Sequence, residues 1–168
     1  MSFCLACYNL FISPLPQRGL FKTRARALRL SGLTISPGVR VSSGAQFLDR
    51  YISIGADTWV GPDVLILSCD LGPVHIGKNV DIAPRVTIVS GSHTLGSSHR
   101  RAGVGNGSEV IIGDGTWIGA NCTIIAGAQI GKGSVVAAGS VVIAGIYPDN
   151  VLLAGVPAVI KRQLPSEL

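Results

Sequence analysis

A chain of 168 residues with 47% hydrophobic content can bury the core of one ordinary domain, which sets aside a chain without a packed core. Twenty-two glycines beside only 14% charged and 5% aromatic residues do not suit an enzyme of ordinary helices and strands, and imply a backbone that turns sharply and often. The net charge of +5 favours an anionic ligand such as a phosphorylated cofactor, nucleic acid or an acidic membrane surface, without choosing among them.

The first segment, Phe3 to Ile12, is apolar. No basic residue precedes it, no small-residue cleavage pattern is evident, and it is too short to span a bilayer, so neither a signal peptide nor a transmembrane helix is expected. Contact with a membrane surface or a neighbouring subunit stays open. Cys4 and Cys7 form one Cys-x-x-Cys pair with no second pair or nearby histidine, a poor zinc site, and with Cys69 and Cys122 they read as reduced thiols of a cytoplasmic protein. Beyond Pro14 and Pro16, Leu20 to Leu30 reads as an amphipathic α-helix with Leu20, Phe21, Ala25 and Leu28 on one side and arginines elsewhere. Arg18, Lys22, Arg24, Arg26, Arg29 and Arg40 all lie in the first quarter of the chain, so part of the charge reads equally as a solvated face. Residues 1–32 are expected to form an N-terminal unit made of this apolar tip and basic helix.

From there a branched aliphatic residue recurs every six positions. Weaker turns at Ile35, Val41 and Phe47 precede Ile54, Val60 and Ile66, then Ile76, Ile82 and Ile88, then Ile112, Ile118, Ile124, Ile130, Val136 and Val142. The following residue is usually small, as at Gly55, Gly77, Gly113 and Gly119, and small or β-branched residues recur three positions later, as at Thr58, Val80, Thr116 and Ser134. A period of six fits neither an α-helix nor a simple alternating strand, but three such units close a triangular coil of eighteen residues. Each hexapeptide supplies a short flat strand and a corner, and its aliphatic residue points inward onto the equivalent residue of the next coil, about 4.8 Å away. The expected fold is all-β: a parallel β-helix over residues 33–160, with a short N-terminal α-helix and a basic C-terminal tail over 161–168. An antiparallel sandwich would need hairpin signals, of which Asn106-Gly107 is the only strong one.

The repeat is interrupted twice. Ile54 to Ile76 is 22 residues, one coil plus an insert of four around Asp70 to Pro73. Ile76 to Ile112 is 36, so residues 94–111, polar and glycine-rich, replace a whole coil and are expected to protrude as a loop of functional length. After the longest regular run, Pro148 breaks the pattern, and Gly155-Val156-Pro157 leads into Lys161 and Arg162.

A three-sided β-helix offers little concavity of its own, so a small-molecule site forms more readily between two chains than within one. The chain has three histidines, His75, His93 and His99. His93 ends the last hexapeptide before the loop, a position with both the fixed backbone and the access that a general base requires. A histidine at a loop edge can equally be incidental. His75 lies 18 residues earlier, which places the two imidazoles on one edge about one strand spacing apart. That pair, with His99, also leaves a metal site open.

The stretch from Ile76 to Arg162 resembles the hexapeptide-repeat O-acetyltransferases, the group of maltose and galactoside acetyltransferases and the acetyltransferases that decorate surface polysaccharides. The residues that carry the resemblance are Ile76-Gly77-Lys78-Asn79-Val80-Asp81-Ile82-Ala83-Pro84, His93 before its loop, Ile112-Gly113-Asp114-Gly115-Thr116-Trp117-Ile118-Gly119, and Ala154-Gly155-Val156-Pro157-Ala158. The resemblance implies a left-handed β-helix, a homotrimer, and acetyl-coenzyme A in the cleft between two chains as co-substrate, with no metal. It implies His93 as the base that deprotonates an acceptor hydroxyl, pantetheine contacts near Ala120 and Ala138, Trp117 beside the cleft, and Lys161 and Arg162 at the nucleotide end. Asp63 stands where such sugar acetyltransferases often carry Asn, and it and His75 are candidates for acceptor binding, although Asp63 reads equally as a turn residue. The Thr-Lys pair usual after the last coil in that family is Ile143-Ala144 here, a departure that bears on one of the phosphate contacts the resemblance implies.

The basic helix leading directly into a coil looks more like the polysaccharide-decorating branch, so a sugar unit of a surface glycan or its precursor is the expected acceptor. No nucleic-acid partner is expected. Two other readings are a γ-carbonic anhydrase-like metal enzyme, whose histidine spacing is wider than the one here, and a non-catalytic β-helix scaffold.

Overall fold

The computed structural model describes residues 3–16 and 19–166. Arg18 and the last two residues of the expected C-terminal tail lie outside them. The body is the left-handed parallel β-helix that the six-residue period calls for. Its first coil is β1 (Thr34–Ile35), β2 (Arg40–Val41) and β3 (Gln46–Leu48), and its second β4 (Ile52–Ile54), β5 (Trp59–Val60) and β6 (Leu65–Leu67). The third is β7 (Val74–Ile76), β8 (Asp81–Ile82) and β9 (Thr87–Val89). A hairpin, β10 (Gly91–Leu95) and β11 (Ala102–Gly107), leaves the body before the fourth coil, β12 (Val110–Ile112), β13 (Trp117–Ile118) and β14 (Thr123–Ile125). The fifth is β15 (Ala128–Ile130), β16 (Val135–Val136) and β17 (Val141–Val142), and β18 (Gly145–Tyr147), β19 (Val151–Gly155) and β20 (Ala158–Gln163) end the chain.

These strands stack into three faces. The first runs β1-β4-β7-β12-β15-β18, the second β2-β5-β8-β13-β16-β19-β20 and the third β3-β6-β9-β14-β17. Each inward residue sits on its equivalent: Ile35 on Ile54, Ile54 on Ile76, Ile76 on Ile112 and Ile112 on Ile130 along the first face. Val60, Ile82, Ile118 and Val136 line the second, and Phe47, Ile66, Ile88, Ile124 and Val142 the third, all at most 1% exposed. Each buried aliphatic chain contributes roughly 1.5–3 kcal/mol, and a period of six repeats that gain in every coil.

The polar residues inside the repeat satisfy the backbone at the corners. Buried Thr58 donates its hydroxyl to the Gly77 carbonyl at 2.8 Å and accepts the Val80 N–H at 3.1 Å. The corner after the first face carries one left-handed residue per coil, Gly38, Asp57, Asn79, Gly115, Gly133 and Asn150, with φ between 54° and 79°. The corner after the second does the same with Gly44, Asp63, Arg85, Asn121 and Gly139, φ 55° to 75°. Gly, Asn and Asp tolerate that region best, and Arg85 is held there by its coil. At Gly119, one residue after the inward Ile118, a Cβ would lie 2.5 Å from the Ala138 backbone nitrogen, so the coils can touch only if this residue is glycine.

Both open ends are covered. The apolar tip is helical: α1 (Phe3–Cys7) runs on as a π-helical turn, Tyr8–Ile12, and buries Leu5 and Tyr8. The Asn9 side-chain amide imitates a strand, donating to the Phe47 carbonyl at 2.7 Å and accepting the Phe47 N–H at 3.1 Å, which satisfies the exposed edge of β3. Burial pushes the Tyr8 phenol well above its ordinary pKa, and the Arg24 charge partly opposes that. The expected basic helix is α2 (Phe21–Leu30), with Ala25 and Leu28 buried. At the other end β20 turns back antiparallel on β19.

Three boundaries differ from the sequence-based expectation. Lys161 and Arg162 belong to β20, not to a tail beginning at 161, because the edge of β19 needs a hydrogen-bonding partner. The segment 94–111 is not a free loop: the excursion is a hairpin from Gly91 to Gly107, and the core pattern resumes at Val110. Nor does it replace a coil, since β12 stacks directly on β7 and the hairpin is an insertion into one coil. Asn106-Gly107 ends β11 and does not form its turn.

Candidate active site

The hairpin and the four-residue insert leave the body at the same corner, between the third face and the first. Cys69 and Gly72 close the insert with mutual backbone hydrogen bonds, and the Ser90 hydroxyl donates to the Gly72 carbonyl, tying the insert to the root of the hairpin. Between them lies a groove of about 460 Å³ lined by Leu67, Cys69, Asp70, Leu71, Ser92, His93 and Asn106. His93 is on β10, opposite Gly105 of β11. Its Nδ1 lies 3.0 Å from the Gly103 carbonyl oxygen. A carbonyl only accepts, so Nδ1 carries a proton and donates it, and in the neutral ring the lone pair lies on Nε2. The hairpin therefore fixes both ring orientation and tautomer, as a general base needs.

His75 is elsewhere. The expected alignment of His75 with His93 fails because the chain leaves the body at Gly91, before the coil closes, and carries His93 out on the hairpin; the residue stacked on His75 is Ile111. On the first face, His75 Nδ1 meets the Ser53 hydroxyl at 2.7 Å and Nε2 meets Glu109 Oε1 at 3.2 Å. His99 is exposed between β10 and β11. Among the described residues, no group of three His, Cys, Asp or Glu side chains could hold a metal ion.

The remaining predicted residues gather on the second face and the corner after it. Trp117 is 57% exposed and lines a groove of about 520 Å³ with Trp59, Asp81, Gly61, Pro62 and Pro84. Along this face the outward row runs Arg40, Trp59, Asp81, Trp117, Val135, Leu152 and Arg162, each paired with the next. Ala120 and Ala138 occupy successive coils of the corner after it, linked by the Gly139 N–H donating to the Ala120 carbonyl at 2.8 Å. Asp63 lies lower on the same corner as its left-handed residue, φ 55°, its N–H donating to the Ser43 carbonyl at 3.2 Å. Arg162 is exposed beside Lys161 on β20.

One chain thus separates its candidates: in a triangular prism the corner bearing His93 is opposite the face bearing Trp117. Cys69, Asp70, Leu71 and Asn106 were missed by sequence reasoning, although the four-residue phase break at 70–73 marks the same corner. Trp59 and Asp81 were missed too, and their signal is the outward position immediately before each inward aliphatic residue.

Comparison with known proteins gives this geometry its class. The bacterial transferase hexapeptide family (six repeats) matches over residues 109–144. A Dictyostelium discoideum protein described as an acetyltransferase is 37% identical over 131 residues, 78% of this chain and 65% of its own length. The galactoside O-acetyltransferase of Escherichia coli is 35% identical over 134 residues, 69% of this chain and 66% of its own. The chain thus spans just under two thirds of these curated relatives. A hexapeptide-repeat acetyltransferase from Vibrio cholerae superposes with a TM-score of 0.81 at 30% identity, covering 96% of this chain and 89% of that one. Its complex with acetyl-coenzyme A superposes with 0.78 at 28%, covering 97% and 86%. The chain belongs to the hexapeptide-repeat acetyltransferases.

Proposed function

We propose that the protein transfers the acetyl group of acetyl-coenzyme A to a hydroxyl of a sugar or surface-glycan precursor, with His93 as general base. The observation that carries this reading is the His93 Nδ1–H donating to the Gly103 carbonyl, which leaves Nε2 free beside a groove. The acceptor hydroxyl gives its proton to Nε2 while its oxygen bonds to the thioester carbonyl carbon. The C–S bond then breaks, and the imidazolium returns the proton to the departing thiolate, giving an acetyl ester and coenzyme A. The Vibrio cholerae relative in complex with acetyl-coenzyme A supports the donor. The galactoside and maltose O-acetyltransferases among the relatives support a sugar acceptor.

The opposition of the two regions supports a homotrimer, in which the hairpin corner of one copy meets the second face of the next. In that cleft Trp117, Ala120 and Ala138 take the pantetheine arm, Lys161 and Arg162 the phosphates, and Asp63 an acceptor hydroxyl. His75, held by Ser53 and Glu109 on the first face, is the second candidate for acceptor binding. Four unpaired cysteines suit the reducing cytoplasm, where acetyl-coenzyme A is found.

The test is release of coenzyme A from acetyl-coenzyme A with a panel of sugars and sugar nucleotides, for the wild type and His93→Ala. Acceptor-dependent release should fall at least about a hundredfold in the variant. Release untouched by the substitution would remove His93 as the base, and absence of both release and acetyl-coenzyme A binding would favour a scaffold.

A further inference from the structure

The helical tip is apolar on both sides. Its inner side, Leu5, Tyr8 and Ser13, is buried against the first coil. Its outer side carries Phe3, 84% exposed, and, seven and eight residues further on, Leu10, 67%, and Phe11, 62%. Large exposed apolar residues grouped in this way mark a contact surface. The tip is also fixed in place. Asn9 and Ser13 bind the first coil, and buried Arg24 of α2 donates to the Leu15 and Pro16 carbonyls.

Beside it, α2 displays Lys22, Arg26 and Arg29 at the i, i+4, i+7 spacing of one helix face, around a shallow groove of about 290 Å³. Arg29 is held by the Ile35 and Ser36 carbonyls at 2.8 and 3.2 Å, contacts that leave its charge uncompensated. Among the described residues none of the three makes an ion pair. The first 48 residues contain six basic residues and no Asp or Glu, whereas the remaining 120 contain eight basic and nine acidic, so the whole positive excess of the chain sits at this end.

We propose that this end of the β-helix docks on an anionic lipid bilayer, Phe3, Leu10 and Phe11 entering the headgroup boundary while Lys22, Arg26 and Arg29 meet the lipid phosphates. Apolar insertion and a basic patch are the two signals that together hold a peripheral protein on a membrane, each being marginal alone. The cations disfavour self-pairing of this end, and the projecting aromatic side chains favour an acyl boundary over nucleic acid. The inference stands apart from the acetyltransferase reading, since it uses none of those residues.

The test is co-sedimentation of the full chain with phosphatidylcholine vesicles, with and without phosphatidylglycerol. Binding should require the anionic lipid and weaken steeply between about 0.1 and 0.5 M salt. Phe3→Ser with Phe11→Ser, and separately Lys22→Glu with Arg26→Glu, should each weaken it at least about tenfold while the thermal midpoint and coenzyme A release without vesicles stay as in the wild type. Equal binding to neutral vesicles, no binding, or variants that bind as well as wild type would overturn the proposal. So would loss of oligomers in the Phe variant without vesicle binding, which would assign the face to a second copy.

Discussion

Two of the three corners of the β-helix are built alike in every coil, and the third is not. After the first and second faces the chain turns through a left-handed residue at nearly constant φ, and the outward side chains form continuous rows. After the third face it leaves the body twice, through the insert at Asp70 and through the hairpin that carries His93. The repetitive corners keep the backbone fixed and give every coil the same core. The irregular corner is the place where a side chain can be aimed away from the body without disturbing the stack, because β12 returns to β7 in register whatever is inserted between them.

The sharpest way to break this comparison is to remove the irregularity. Gly91 and Gly107 are direct partners, so residues 92–106 can be replaced by an Asn-Gly turn. Coenzyme A release should fall at least about a hundredfold, while the thermal midpoint, read by circular dichroism, moves by less than about 4 °C. A large loss of stability would mean that the hairpin is part of the core after all. The converse change, Ile124→Ala inside a regular coil, should cost about 2–5 kcal/mol in urea denaturation. The smallest effects separate two glycines of the regular corners. Gly119→Ala meets the Ala138 backbone and should cost about 1–3 kcal/mol. Gly139→Ala, with nothing within 4 Å and φ 73°, should cost only the left-handed conformation, about 1 kcal/mol. The reverse order would put backbone conformation above coil contact as the reason for glycine.

The regular part was legible because its signal is local and repeated: Ile112, Ile118, Ile124 and Ile130 announce a coil without knowledge of anything distant. The place of the excursion was legible for the opposite reason, as the point where that rhythm stops, although His93 stands inside it on β10. The hairpin strands were not, since Ala102 to Gly107 has no alternation of polar and apolar residues and is held by backbone pairing with β10. The alignment of His75 with His93 failed because counting by eighteen holds only where nothing is inserted. Asn9 gave no sign of its role, since one amide side chain matching the edge of a strand 38 residues away leaves no pattern in the chain.

By itself, then, the amino-acid sequence determined the β-helix, its core and where the excursion leaves it, because burial of one aliphatic residue per six is a property of the chain taken in order. Only the tertiary structure decided how the ends are closed, which nitrogen of His93 is free, and that His93 and Trp117 lie on opposite sides of one chain. Those outcomes depend on hydrogen bonds and directions between segments whose separation in sequence is irregular, and no period records them.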